Sequence, residues 1–369
     1  MLLDLYPQLE MTWQPVMDLH LGTPWAYEAL LGGPADSPYE NPDALVALAR
    51  DEGLGEQHDA YCLDLALRQA DEVLPSSAML LVPLRGNVGH LPPPPANPPW
   101  PATRTVIEVS EHSPLFEQPS ALLAELAPWR AAGYHIAFSD FGSGFGGAQA
   151  LLACRPDIVK IERQLVHGID ADTWRQEMVA SIVQSTTDLG AAVVADGIDA
   201  VAELHELVRL RVALGEGPLL GRAVPATRIA RFTDSWLQSR IDVSDALTAA
   251  MPKTGAAYAV DRSRHIVAWN EGAVEVSGYQ PGAVVGATCW LSGLDHKDAA
   301  GTRLCFNACP LVRAMQTGKP QSDIVSLRTA GGARRWIETH VTPVTDESGK
   351  VIGAVESFSR AHRPEMPKT

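Results

Sequence analysis

Acidic side chains and one lysine end a series of short apolar segments in this sequence. The ends carry Glu28, Glu108, Ser139-Asp140, Lys160, Asp196 and Glu216, and one further segment ends near Pro83. The ends of parallel strands in a barrel converge at one mouth. Carboxylate oxygens are the ligands that hard divalent cations prefer, and a lysine ammonium binds phosphate as a point charge. The pattern therefore predicts a site for a cation or a phosphate group.

A second set of residues with possible metal chemistry lies nearer the C-terminus. It consists of Cys289, His296, Cys305 and Cys309. Cys305 and Cys309 are four residues apart, so they would share one face of a helix. This set could bind a metal ion or an iron–sulfur cluster, or form a reversible disulfide. Free cysteines are also common as small buried apolar residues, and both interpretations stay open.

The segments that position the first set alternate between strands and helices. Strands are predicted at 10–20, 25–31, 78–84, 105–109, 135–140, 157–161, 191–196 and 211–216. Helices are predicted at 41–74, 120–132, 146–154, 171–189 and 199–210. Strands that are apolar on both faces occur in parallel sheets covered by helices. The number of strands, near eight, predicts an α/β fold of the (β/α)₈ TIM-like barrel type.

One connection of this barrel is unusual because it is rich in proline. Seven prolines lie between positions 92 and 101, and each proline removes a backbone donor and clashes with a preceding helical turn. We therefore expect a polyproline II stretch, and an outer ring that lacks one helix. The stretch is either a solvent-exposed connector or, together with Trp100, part of an interface.

The sequence pattern changes after the barrel, which is predicted to span residues 1–226. Residues 227–252 have the apolar spacing of an amphipathic linking helix. Residues 253–362 are predicted to form an α+β domain, because short strands are separated by turns at Gly331-Gly332 and at 347–349. Residues 363–369 are predicted to be a disordered tail.

Composition excludes several classes of partner. The formal net charge of −15 disfavours non-specific binding to nucleic acids and anionic membranes. No apolar run reaches the ~18 residues that a membrane span needs, so membrane insertion is not expected. The N-terminal segment lacks the basic region of a secretory signal, and five cysteines are too few and too scattered for a disulfide framework. We therefore expect a cytoplasmic protein.

Seven motifs in the first half resemble the EAL family of cyclic di-GMP phosphodiesterases. They are QPVMDL (14–19), YEALL (27–31), VIEVSE (106–111), DFGSGFGG (140–147), PDIVKIER (156–163), VVADGID (193–199) and EGPLLGR (216–222). The second half resembles a PAS domain through IVAWN (266–270), SGY (277–279) and VTPVTDESGKVIGAVESF (341–358). The resemblance implies an EAL-type barrel followed by a PAS domain, and a reaction that opens cyclic di-GMP with two Mg or Mn ions.

The resemblance also implies roles for individual residues. Glu28 and Glu108 would bind the first metal ion, Asp140 and Asp196 the second, and Lys160 would orient or activate the attacking water. The cyclic di-GMP pocket would be formed by Glu28, Leu30, Asp140 and Arg222.

Several positions depart from the family pattern. Pro83 replaces an asparagine ligand, Ser139 replaces the aspartate that bridges both metal ions, and Glu216 replaces a glutamine. Gly32 replaces an arginine that contacts a ligand phosphate. A neutral hydroxyl is a poor bridge between two dications, and proline has no side-chain oxygen to offer. These changes predict a degenerate metal site.

Two functional hypotheses follow. The favoured one is a bacterial signalling protein whose barrel does not hydrolyse cyclic di-GMP. Such a barrel acts through contacts with another signalling protein, or as a cyclic di-GMP receptor, under a PAS domain that senses a signal or dimerises. The alternative is an active metal-dependent phosphodiesterase with a reduced site. The resemblance also implies a homodimer, and the sequence does not identify the ligand of the PAS domain.

Overall fold

The chain separates into two compact units in a computed structural model. The structure describes residues 2–34, 37–75, 78–85, 89–142, 147–226, 229, 243, 245–285, 287–305, 308–346 and 348–364. One unit comprises Met1–Met17 and Pro24–Thr233, and the other comprises Asp18–Thr23 and Asp234–Thr369. Residues 245–249 are helical, but most of the predicted linking helix at 227–252 lies outside the described residues. The end of the predicted tail, 365–369, lies outside them too.

Eight strands of the first unit form a closed barrel. They are β1 Glu10–Asp18, β2 Thr23–Gly32, β3 Met79–Leu84, β4 Thr105–Ser110, β5 His135–Phe141, β6 Ile158–Ile161, β7 Ala192–Ala195 and β8 Leu214–Gly215. Strands β2 to β8 pair in chain order and in parallel. Strand β1 lies between β8 and β2 and closes the ring, and a short β9 at Val224–Pro225 pairs with β1. The predicted TIM-like barrel is confirmed.

Helices surround this barrel at most of its connections. They are α1 Leu2–Leu5, α2 Pro42–Asp51, α3 Gly55–Val73, α4 Pro119–Ala131, α5 Gly147–Cys154, α6 Arg163–Val166, α7 Thr173–Leu189 and α8 Val201–Arg209. The helical stretch predicted at 41–74 is divided in two, because Gly53 takes a left-handed φ of 69° that ends α2. Every residue of β6 and β7 is buried, as expected for strands covered on both faces.

The proline-rich connection between β3 and β4 contains no α-helix among its described residues. The helical turn that these residues do contain is a 3₁₀ turn at Ala102–Arg104. Trp100 is 1% exposed, and the Arg104 guanidinium lies 4.5 Å from the centre of its ring. The indole Nε1 donates to the Arg104 carbonyl over 3.4 Å. The suggestion that Trp100 belongs to an interface is therefore wrong, since the ring is buried by its own chain.

The second unit contains one antiparallel sheet of five strands. They are β10 Ala256–Asp261, β11 Ile266–Trp269, β12 Gln321–Arg328, β13 Arg334–Thr345 and β14 Val351–Arg360, in the order β11-β10-β14-β13-β12. Besides the helical residues 245–249, the described part of this unit contains the helices α9 Glu271–Ser277, α10 Pro281–Val284 and α11 Pro310–Thr317. The predicted turns join β12 to β13 and β13 to β14, where Gly332 and Gly349 take positive φ. No helix in the described part of the chain combines the length and apolarity that crossing a membrane requires.

Replacing Trp100 with alanine should lower the free energy of unfolding by about 3–5 kcal/mol, because a fully buried indole is removed from the barrel flank. Urea unfolding followed by circular dichroism measures the loss. The control is Trp174→Ala on α7, where the ring is 73% exposed and the expected change is within about 0.5 kcal/mol. Equal losses in the two variants would show that Trp100 adds nothing to the stability of the barrel.

Candidate functional site

The barrel strands bring the predicted acidic residues and the lysine to one region. Glu28 lies in β2, Glu108 in β4 and Lys160 in β6, and all three are buried. Pro83 on β3 is the register partner of Glu108. Ser139, also buried, lies in β5 beside β4. The parallel register therefore positions the altered residues beside the residues that match the family pattern.

Lys160 lies at the centre of this cluster and contacts three glutamates. Its Nζ is 2.9 Å from Glu28 Oε2 and 3.6 Å from Glu108 Oε2, and it forms a third ion pair with Glu216 Oε1. None of the four side chains is more than 4% exposed. Neither oxygen of Glu108 accepts a hydrogen bond from a described residue. The ammonium is thus the main group that balances these buried carboxylates.

Burial and mutual repulsion alter the protonation of this cluster. Burial opposes the charge of Lys160, but Glu108, Glu216 and Glu28 raise its pKa well above the usual value. Burial raises the pKa of Glu108 to about 7, although Lys160 opposes the rise. Burial and the charge of Glu28 also raise the pKa of Glu216 well above its usual value. The three carboxylates therefore favour the charged form of the lysine, while burial and mutual repulsion favour proton uptake by Glu108 and Glu216.

Arg85 is a second cation at the mouth, and the motif comparison did not identify it. It follows β3 directly, and its side chain is 32% exposed. One terminal nitrogen lies 3.8 Å from Glu28 Oε1, and the other lies 3.4 Å from Asp43 Oδ1. Burial opposes the charge of Arg85, but Glu28, Glu108, Asp140 and Asp43 together raise its pKa. The only signal in the sequence was a basic residue immediately after a strand end.

Asp140 and Asp196 line an open cleft of about 490 Å³ beside the buried cluster. The other lining residues are Glu162, Arg163, Gln164, His167 and Arg175. Asp140 takes a positive φ of 54°, and its Oδ2 accepts a hydrogen bond from Ser110 Oγ over 2.5 Å. Burial raises the pKa of Asp196 against the effect of Lys160. The cleft therefore offers both acidic and basic groups to a polar ligand.

Glu111 anchors the backbone around Asp140, a role that the motif comparison did not assign. Its Oε2 accepts a hydrogen bond from the Gly142 amide over 2.8 Å, and the side chain is buried. A Cβ atom on Gly147 would lie 2.4 Å from Glu111 Oε1, so only glycine fits there without displacing the carboxylate. This carboxylate therefore connects the end of β4 to the backbone that follows β5.

The two other residues predicted in the nucleotide pocket lie apart from the ion-pair cluster. Leu30 is half-buried, and together with Pro83 and Arg85 it lines a small cavity of about 30 Å³. Arg222 is exposed between β8 and β9. Within the described residues, Arg222 forms no ion pair with the mouth carboxylates.

His58 of α3 also lines this small cavity. The ring is 3% exposed, and its Nε2 lies 3.5 Å from Cys62 Sγ. Burial lowers the pKa of His58 to about 4. The imidazole is therefore neutral at physiological pH, and charging it requires a rearrangement of the barrel flank.

The second unit places the cysteine residues in its core. Cys289, Cys305 and Cys309 are free and buried, and His296 is buried too. The Arg264 guanidinium donates to the Cys305 carbonyl over 3.0 Å. Burial raises the pKa of Cys309 to about 12, and the nearby Cys305 adds to the rise. The Cys309 thiol is therefore protonated at neutral pH, which makes it a poor nucleophile and a poor ligand.

No three His, Cys, Asp or Glu side chains among the described residues are arranged to share a metal ion. The structure therefore does not group Cys289, His296, Cys305 and Cys309 into a ligand set.

Near Cys289 the core also contains a buried carboxylate, Glu356, which accepts hydrogen bonds of 2.6 Å from Tyr258 and Thr339.

Comparisons with known proteins identify both units. Residues 6–223 match the EAL domain, and residues 254–360 match the PAS fold. The probable cyclic di-GMP phosphodiesterase PdeB of Escherichia coli K12 is 24% identical over 245 residues, which cover 61% of this chain and 44% of PdeB. The blue light- and temperature-regulated antirepressor BluF of the same organism is 30% identical over 94 residues, 26% of this chain and 23% of BluF. The chain spans less than half the length of either relative.

Solved structures share the barrel fold. The MucR phosphodiesterase in complex with cyclic di-GMP has a TM-score of 0.53 and 24% identity, over 60% of this chain and 94% of the MucR chain. A manganese and cyclic di-GMP complex of Klebsiella pneumoniae BlrP1 has a TM-score of 0.51 and 22% identity, over 59% of this chain and 56% of BlrP1. At these identities the likeness shows the fold of the first unit.

Replacing Lys160 with methionine should lower the free energy of unfolding at pH 7 by about 3–5 kcal/mol, because buried carboxylates lose the cation that balances them. Urea unfolding measures the effect. Adding Glu216→Gln to this variant should restore part of the loss, since one of the repelling carboxylates is then removed. The control is Lys297→Met. The Lys297 side chain is a third exposed, and its ion pair with Asp295 should contribute at most about 1 kcal/mol. A loss no greater than in the control would contradict a stabilising role for the ammonium.

Replacing His58 with glutamine should flatten the acid side of the pH–stability profile. The unfolded chain binds a proton at His58 near pH 6.5 and the folded chain only near pH 4. The unfolded state therefore carries more protons between these values, and wild-type stability falls as the pH drops through them, by about 3 kcal/mol in total. Urea unfolding at a series of pH values tests this, with the exposed His205→Gln as control. An unchanged slope in the His58 variant would rule out this histidine as its source.

Proposed function

The chain belongs to the EAL domain family, and on this premise we propose that it is a signalling protein whose barrel binds cyclic di-GMP without hydrolysing it. The PAS domain regulates the barrel, and the liganded barrel acts through contacts with another signalling protein. The single observation that carries the proposal is the ion-pair cluster in which Lys160 contacts three buried glutamates.

A two-metal site does not fit the side chains at the mouth. Metal-dependent phosphodiester hydrolysis uses two divalent ions ~3.5–4 Å apart on oxygen ligands, and these ions supply an activated water and a clamp for the phosphate. Ser139 offers a neutral hydroxyl where the resemblance expects a bridging carboxylate, and Pro83 offers no side-chain oxygen. Glu28 and Glu108, the carboxylates expected on the first ion, are both already within ion-pair distance of Lys160.

The cleft beside this cluster supports binding of a nucleotide ligand. Its volume of about 490 Å³ lies within the ~300–1,000 Å³ of ordinary ligand sites. Asp140 and Asp196 can accept hydrogen bonds from guanine or ribose, and Arg163 and Arg175 can donate to phosphate. The MucR barrel was solved in complex with cyclic di-GMP, which supports the same ligand for this chain.

The relatives support a role in signalling by either route. PdeB is described as a probable phosphodiesterase and BluF as an antirepressor. An antirepressor acts on another protein, which is the mode of action that we assign to this chain. The homodimer, the protein partner and the cytoplasmic location inferred from the sequence stay predictions of this proposal.

Incubation of the chain with cyclic di-GMP and excess Mg²⁺ or Mn²⁺ should yield no linear dinucleotide above background, as measured by chromatography. Calorimetry with the same nucleotide should show saturable binding. The control is Pro83→Asn/Ser139→Asp/Glu216→Gln, which returns three of the four altered positions to the family residues. Mn²⁺ alone should bind this variant at least tenfold more tightly than it binds the wild type, because two oxygen ligands are regained.

The opposite result would support a phosphodiesterase with a reduced site, for which Glu28, Glu108, Asp140 and Lys160 are the remaining catalytic groups. Linear product that forms with the wild type and disappears with Glu28→Ala would overturn the proposal. Absence of both product and binding heat would overturn the receptor role.

A further inference from the structure

The position of Arg85 suggests a function for this arginine beyond stability. Its guanidinium lies beside Glu28 and Asp43, and a third of the side chain is exposed to solvent. It therefore contacts the buried cluster with one terminal nitrogen while remaining accessible to a ligand.

Among the described residues, the hydrogen-bonding capacity of this guanidinium is largely unused. Its two ion pairs are 3.4 and 3.8 Å long, whereas strong charge-assisted hydrogen bonds are ~2.7–2.9 Å. The buried Nε donates to no described residue. A planar guanidinium with free donors is the side chain best suited to bind a phosphate in a bidentate manner.

The charges around Arg85 are those that a divalent ion would otherwise balance. Glu28 has the largest effect on the guanidinium, and Glu108 and Asp140 also act on it. The resemblance assigns all three carboxylates to metal ions. Lys160 and Arg85 therefore bring two positive charges to the carboxylates that the resemblance assigns to metal ions.

We propose that Arg85 takes the place of a divalent ion at the mouth, so that this barrel binds the phosphodiester of its ligand without metal. The proposal rests on the proposed receptor function and adds a specific phosphate-binding residue to it. Glu28 and Asp43 hold the guanidinium in position, and the phosphate oxygen accepts from its unused donors.

Calorimetry with cyclic di-GMP in excess EDTA, repeated in excess Mg²⁺, tests this assignment. The wild type should bind with the same Kd in both, within about twofold. Arg85→Gln should weaken binding in EDTA by about 10- to 100-fold, because charge-assisted hydrogen bonds to phosphate are lost. Arg85→Lys should fall between the two, since it keeps the charge but loses the planar fork. The control is Arg68→Gln on α3, which removes an exposed guanidinium that pairs with Asp64 and should bind as the wild type does.

Thermal melting identifies any variant that fails to fold. If Arg85→Gln does not fold, the affinity of Arg85→Lys is compared with that of the wild type instead. Binding by the wild type that requires Mg²⁺, or equal affinity of Arg85→Gln and Arg68→Gln, would overturn the assignment and leave the non-hydrolytic receptor intact. Release of linear dinucleotide would instead overturn the proposed function, so the two failures are distinguishable.

Discussion

The buried ammonium of Lys160 is the interaction on which the mouth of this barrel depends. Parallel strands of a TIM-like barrel end together, so any acidic residues at those ends are forced into proximity. Three glutamates meet there without solvent, and such a group is stable only when charges are paired or protons are taken up. Here both occur, because Lys160 contacts each glutamate and the pKa values of Glu108 and Glu216 are raised. The carboxylate charges at the mouth of the barrel are thus balanced by groups of the barrel itself, which we call internal neutralisation.

Much of the fold could be predicted from the sequence because its signals are local. Apolar segments such as β6 and β7 are buried on both faces, and glycine-containing turns end the strands of the second unit. The break at Gly53 was missed because apolar periodicity continues across it, while the backbone turns. The burial of Trp100 was not predicted for a related reason. A proline-rich stretch indicates that a helix is absent, but it does not indicate how deeply an aromatic side chain within it is buried.

The candidate site was predictable residue by residue only where a motif existed. Glu28, Glu108 and Lys160 were identified by their positions at strand ends, and the structure brings them together. Arg85 lies just beyond β3, where the chain matches no motif, so its approach to Glu28 appears only in three dimensions. Glu111 was part of a recognised motif, but its function as an anchor depends on the Gly142 amide, which follows a different strand.

Internal neutralisation also has a consequence for how substitutions at this mouth combine. Substitutions at Lys160, Glu216 and Arg85 act on shared carboxylates, so their effects on stability are coupled rather than additive. Changing one of these side chains leaves the remaining charges without their present counterparts. The stability of a multiple variant at this mouth therefore depends on which of its substitutions occur together. Such epistasis means that the order in which these side chains change decides which sequences can fold.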